Sequence, residues 1–475
     1  MESNFKIPIW LDCDPGHDDA FAILLSAHHP HLKLLGLSTV HGNSSLPHTT
    51  HNALSLLAAI GTPNIPVYSG ASESLTRSAV HAPAIHGESG LDGTSLLPAP
   101  LAQPINEPAV QAMAKALLST PPQTAWLVAT GALTNIALLF SSHPELASHI
   151  KGLSIMGGAI GDGFTSAPMG RVGGEETARI GNWSAWAEFN ILVDPEAASQ
   201  LFSNPVLSKK TTLIPLDVTH LCLATPDVQN LLLWGKDGVK NGNEGKTTLR
   251  RMLSDLLIFF ANTYAEVFGI TAGPPLHDPL AVAAVFDGIV GVEIPFYDFK
   301  STGTGVEDGL GSGVGGEKRR RERYEVKIVT EGSHDDALKG AQTGRSIRGE
   351  DGLKIPRGLD IGRFWQVLEE CLERADEVNA ANRTSYTEGT SLTALLVPIE
   401  ENVPGFLVVD NVLKAVIKHE MKAIGLSYHK LEYNWGIRSI GVMLSPAAYL
   451  SECKHPQLDL GPLWRSTTAW VTAVN

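Results

Sequence analysis

Apolar runs rich in β-branched residues alternate with stretches of helical period along most of this chain. "IPIWLDCD" precedes "DDAFAILLSAHH", "LKLLGLSTV" precedes "THNALSLLAAI", and "TAWLVAT" precedes "LTNIALLF". A strand followed by a helix and then another strand closes a βαβ unit, and units in series build a parallel sheet. "KGLSIMGG", "TTLIPLDVT" and "YEVKIVT" read as further strands, and "LRRMLSDLLIFFANTYAEVF" and "DIGRFWQVLEECLERADEVNAAN" as long amphipathic helices. The expected fold class is therefore α/β, an open and mostly parallel sheet flanked by helices.

The alternation runs to about residue 383, so residues 1–383 are expected to form one domain and 384–475 an unassigned C-terminal extension. In that extension "LKAVIKHEMKAIGL" is the one convincing helix. Two glycine-rich stretches interrupt the domain, at 161–182 and 301–323. The second ends in "KRRRER", read here as a solvated charge run rather than a targeting signal. With 475 residues, 43% of them hydrophobic, the chain can bury a large core. Its formal charge of −14 disfavours general affinity for nucleic acid or anionic membrane. The stretch "MESNFKIPIW" lacks a basic region followed by a long apolar one and no run approaches roughly 18 apolar residues, so a soluble, unexported protein is expected, and the four cysteines are scattered without a CxxC pair. A reducing, cytoplasmic setting and a small-molecule partner are expected.

"LDCDPGHDDA" carries four carboxylates, Asp12, Asp14, Asp18 and Asp19, directly after the first strand. Asp12 and Asp14 lie two apart, Pro15 and Gly16 turn the chain, and Asp18 and Asp19 open the next helix. Helix capping explains one or two of these acids, not four. The helix N-terminus offsets only about half a charge. A bound cation resolves the repulsion, and oxygen donors without nearby Cys or His suit Ca²⁺ or Mg²⁺ rather than zinc. "VHGN", "ATGALTN", "MGG" and "DVTH" follow other strands, where an open parallel sheet places its ligands. Five polar loops on one rim imply one composite site.

Taken in order, "DCDPGHDDA", "HGN", "IHGESG", "TGALTNIA", "MGG", "NWSAWAEFNILVDPEAA" and "HDPLAVA" resemble the successive signatures of the inosine-uridine preferring nucleoside hydrolases. The resemblance spans roughly residues 5–383 and implies that family's Rossmann-like fold. It also implies a Ca²⁺ ion held by Asp14, Asp19, the main-chain oxygen of Thr130, and Asp278. By the same resemblance Asp14 is the general base that deprotonates water, and Asp18, Asn43, Asn182, Glu188 and Asn190 bind ribose. Met156 packs under the sugar. His277, beside the base, is the preferred acid for the leaving group, and His86 is a second group near the base. Asp12 is expected to support the turn. The implied activity is Ca²⁺-dependent hydrolysis of the N-glycosidic bond of ribonucleosides, uridine first, in nucleoside salvage, by a homo-oligomer (dimer or tetramer). Tyr264, Phe268 and Trp186 are possible lining of a base pocket, with a core role as the plainer reading.

Two other classes compete. A phosphatase with a DxD nucleophile also uses a divalent ion, but Pro15 and Gly16 stand where a "DxDxT" motif needs other residues. A catalytically silent nucleoside- or sugar-binding protein is the third, and the suitable side chains at every metal and ribose position argue against it.

Overall fold

A computed structural model of the chain describes residues 5–172, 179–236, 238, 245–298 and 322–389, with side chains as far as 382. The chain divides into two units, Met1–Ala381 and Asn382–Asn475, and the architecture below is that of the first. The helix read at "LKAVIKHEMKAIGL" and most of the 301–323 stretch lie outside the described residues.

Six parallel strands form the central sheet: β1 (Ile7–Cys13), β2 (Leu32–Thr39), β3 (Val67–Ser69), β4 (Trp126–Ala129), β5 (Gly152–Met156) and β6 (Thr211–Ile214). Their spatial order is β3-β2-β1-β4-β5-β6, every neighbouring pair parallel. The chain builds outward from β1 in one direction and then, from β4, in the other. The connections diverge between β1 and β4, and in an open sheet that divergence opens a crevice at the strands' carboxyl ends.

β1 is the central strand and is almost wholly buried, which explains its unbroken apolar run. The helix Asp19–His28 packs against the helix Asp278–Ala283. Both begin with an aspartate, and their packing brings together acids 259 positions apart in sequence. The three-residue β3 and the helix Ala109–Leu118 are among the elements that the strand and helix patterns named above do not include. The former is too short to carry a periodic signal. "TTLIPLDVT" is a strand only to Ile214; Pro215 ends it, and Leu216–Thr219 forms one helical turn.

The long helix Thr248–Phe268 forms one wall of the crevice. It starts at Thr247, whose side chain accepts from the Arg250 N–H, and stops at Gly269, which takes a left-handed conformation (φ 67°). Arg250 is completely buried: Nε donates to Asp376 at 2.6 Å, Nη1 to the Leu232 carbonyl at 2.8 Å, and Nη2 to Glu369 at 3.4 Å. This network ties the wall to the helix beginning at Ile361. Phe260, Tyr264 and Phe268, four residues apart, consequently share one face.

Candidate active site

The crevice is a cleft of about 490 Å³, counting the space open at its mouth, a size suited to a small-molecule ligand. Ten of the twelve residues singled out from sequence line it: Asp18, Asn43, His86, Thr130, Met156, Asn182, Glu188, Asn190, His277 and Asp278. The other two, Asp14 and Asp19, are fully buried and hydrogen-bonded to lining residues. Asp14 Oδ2 accepts from the Asn43 N–H at 2.7 Å, and Asp19 Oδ1 from the Thr130 hydroxyl at 2.9 Å. The Thr130 side chain, assigned no role from sequence, thus orients a carboxylate.

The acidic end is compact. Carboxylate oxygens of Asp18, Asp19 and Asp278 all lie within 4.8 Å of one another. Sequence similarity assigned Asp18 to ribose, whereas the fold places it in this cluster as well as in the cleft wall. Asp18 makes no capping hydrogen bond to its helix, so capping does not account for it. Asp14 is seated between two backbone segments that only glycine allows so close. A Cβ at Gly42 would stand 2.0 Å from Asp14 Oδ2, and one at Gly131 2.5 Å from Oδ1. Oδ1 itself is buried and has no hydrogen-bond partner among the described residues.

Concentrating unsolvated acids raises their proton affinity. Burial first, then the neighbouring Asp19, lifts Asp18 to about 7. The same two causes hold Asp14 well above the usual carboxylate range, and burial followed by Asp18 does so for Asp278. Burial raises Asp19 too. An unpartnered carboxylate oxygen beside three converging hard oxygen donors fits a divalent cation, which would let these groups ionise together. Asp12 is separate. Its Oδ1 accepts from Ser38 and, at 2.8 Å, from Asn135, and its carbonyl accepts from the Thr130 N–H at 2.9 Å. These bonds tie β1 to β2 and to the residue that follows β4.

The polar wall comes from the segment before helix Phe189–Val193. Glu188 is buried, not superficial: its carboxylate caps that helix, accepting from the N–H groups of Asn190 (2.9 Å) and Ile191 (3.1 Å), and from Gly158 (2.8 Å) after β5. Asn190 Nδ2 donates to the Thr130 carbonyl at 2.8 Å and lies 3.4 Å from the Met156 sulfur. Asn182 Oδ1 accepts from the Phe189 N–H at 2.9 Å. The glycine-rich segment before it thus leaves Asn182 in the cleft.

Next to Asp278, His277 meets the aromatic helix. Its Nε2 is 2.7 Å from the Tyr264 hydroxyl and its Nδ1 2.8 Å from Thr219 Oγ1. Burial, then His220, pushes its pKa well below the usual range, so the ring is neutral at pH 7. His86, on the single turn Pro83–His86, is likewise neutral; burial, then His17, lowers its pKa. Tyr264 and Phe268 line the cleft, joined by Phe260, Trp183 and Phe189, which the sequence reading did not list. For Phe260 the signal was the four-residue spacing with Tyr264 and Phe268, indistinguishable in sequence from an ordinary core stripe; Trp183 and Phe189 lie on another segment and carry no such spacing. Trp186 is absent from the lining and lies under Arg345, 4.5 Å from its ring centroid.

A parallel sheet with an acid-floored, aromatic-walled cleft at its topological switch point defines a small-molecule site of the nucleoside-processing kind. The chain belongs to the inosine-uridine preferring nucleoside hydrolase family, which it matches over residues 9–366. It is 36% identical over 377 residues to a uridine nucleosidase of Saccharomyces cerevisiae, covering 79% of this chain and 98% of that one. It is 41% identical over 281 residues to a pyrimidine-specific ribonucleoside hydrolase of Salmonella arizonae, covering 58% and 78% respectively. Among solved structures, a purine-preferring ribonucleoside hydrolase from Gardnerella vaginalis superposes with a TM-score of 0.58 at 25% identity, over 78% of this chain and 99% of that one.

Proposed function

We propose that this chain hydrolyses the N-glycosidic bond of ribonucleosides, with uridine favoured, in a Ca²⁺-dependent reaction that serves nucleoside salvage. The observation that carries the reading is the lining of one cleft. It brings together clustered carboxylates, side-chain amides, aromatic rings and two neutral histidines. A ribose with its base offers hydroxyls and an aromatic ring that match this lining. The names of the yeast and Salmonella relatives favour pyrimidines.

Asp14, Asp19, Asp278 and the Thr130 carbonyl would hold the calcium ion, with Asp18 beside them. When bound, Ca²⁺ would acidify a water molecule and anchor the sugar's vicinal hydroxyls. Asp14 accepts the proton of the attacking water. Asp18, Asn43, Asn182, Glu188 and Asn190 engage the ribose hydroxyls, and their oxygens stabilise the positive charge that builds on the sugar as the bond breaks. Met156 supports the sugar from below. The His277–Tyr264 pair supplies a proton, or a hydrogen bond, to the departing base, and His86 contacts the base from the other side. The hydrolase domain occupies residues 1–383, and 384–475 is an appendage. Cytoplasmic location and assembly as a homodimer or homotetramer complete the proposal. No helix among the described residues is long and apolar enough to cross a membrane.

The test is a panel of uridine, cytidine, inosine and adenosine, assayed for free base and ribose with Ca²⁺ and with a chelator. Release of uracil and ribose, lost on chelation and restored by Ca²⁺, supports the proposal. No turnover of any nucleoside with Ca²⁺ present refutes it. Phosphate release from a phosphomonoester would favour the phosphatase class instead.

A further inference from the structure

His17, in the opening acidic motif, has no part in the chemistry above, yet it is 1% exposed and contacts a cleft residue. Its Nε2 lies 2.8 Å from the main-chain carbonyl of Asp92, and its Nδ1 lies 3.1 Å from Nδ1 of His86. A carbonyl oxygen only accepts, so Nε2 of His17 carries the hydrogen. In a buried, uncharged ring Nδ1 then has a lone pair. The only way for the two Nδ1 atoms to bond is for His86 to donate. His86 is thereby an Nδ1–H tautomer, and its Nε2, bonded to no other described residue, is an acceptor on a ring that lines the cleft.

The arrangement is held firmly. The His17 ring stacks on Phe259, centroids 5.0 Å apart and planes within 3°. Asp92 is tied to the His86 turn, its N–H donating to the His86 carbonyl at 3.2 Å and its side chain accepting from the Glu88 N–H at 3.1 Å. The His86 ring centroid also lies 5.5 Å from that of Phe260, another residue lining the cleft.

We propose that His17 is a positioning residue that locks the tautomer of His86, so that Nε2 of His86 accepts a hydrogen bond from a ring N–H of the nucleobase. The inference rests on the nucleoside hydrolase reading and deepens it. An imide-type base such as uracil offers that N–H, whereas cytosine presents a bare ring nitrogen, and two lone pairs would face each other. The pair therefore selects for the protonated ring edge.

Two measurements test this on the full chain. Long-range ¹H–¹⁵N spectra of histidine-labelled protein, assigned with His86→Phe, read the tautomers without substrate; His17 as Nε2–H and His86 as Nδ1–H are expected. Finding His86 as Nε2–H overturns the proposal. In the second, kcat/KM is compared for uridine and 3-methyluridine, which lacks the N–H, in wild type and His17→Phe. This variant keeps the ring stack and loses the acceptor. The wild-type preference for uridine is expected to shrink on the order of tenfold, the loss of one neutral hydrogen bond. An equal loss on both substrates would mean that His17 is merely structural and would overturn the proposal. Absence of turnover by the wild type refutes the hydrolase reading and base recognition with it, while the spectra decide the tautomer independently.

Discussion

In the absence of a divalent cation, stability should fall as pH rises, and Ca²⁺ should restore it. Asp18 illustrates the size. Its folded pKa of about 7 stands against 3.8 in an unfolded chain. Below pH 4 both states hold the proton and there is no penalty. Between pH 4 and 7 only the folded state keeps it, so stability declines, and above 7 the full cost is in force. At 1.4 kcal/mol per pKa unit that cost is about 4 kcal/mol from Asp18 alone. Asp14, Asp19 and Asp278, also raised, steepen the slope. A cation displaces the protons, and at a hundredfold excess over its Kd contributes about 3 kcal/mol of stability. Melting temperatures measured in chelator and in excess CaCl₂ at pH 5.5 and 8 should show a drop of several degrees between the two pH values only in chelator. Asp18→Asn, which removes one titrating group, should flatten the chelated profile. A chelated protein that melts higher at pH 8 than at pH 5.5, or Ca²⁺ without effect at pH 8, would refute the account of the carboxylate cluster.

Four further outcomes are expected. Asp14→Ala should abolish calcium binding, read by calorimetry, together with turnover, because one side chain is both proposed ligand and base. His277→Ala should leave calcium binding unchanged and lower kcat on the order of 10²-fold, the usual contribution of a general acid; unchanged rates on every nucleoside would exclude that role. Arg250→Ala removes the 2.6 Å partner of Asp376 and leaves the buried Glu369 carboxylate, among the described residues, only Lys236, at 3.6 Å, and should cost about 3–5 kcal/mol in denaturant unfolding. Truncation after Thr384 should give soluble protein with wild-type kcat/KM, and an insoluble product would place the extension within the domain.

Much of the fold was legible in local sequence because a βαβ unit requires apolar strands and amphipathic helices in alternation. β1, β2, β4, β5 and the long helices follow from that pattern, whereas a three-residue strand such as β3 exists only through pairing with β2. The acids of "DCDPGHDD" were conspicuous because four charges cannot be buried together without a partner. Asn182, Glu188, Asn190 and His277 carried no such local oddity, and the motif order of a family singled them out. Phe260 was not distinguishable because an aromatic residue facing a cleft and one facing the core have the same helical spacing, and Trp183 and Phe189 lie where no periodic pattern marks them.

What the sequence determined by itself, then, was the parallel α/β layout and the demand for a cation, since periodicity and charge density are local properties. Tertiary structure alone decided which groups meet. Packing of two helix N-termini joins Asp18 and Asp19 to Asp278, and one helix face turns Tyr264 toward His277. A loop from another part of the chain sets His86 against His17. Those contacts bridge residues 13 to 260 positions apart, and no local pattern encodes which distant partners the packing of the sheet will bring within hydrogen-bonding distance.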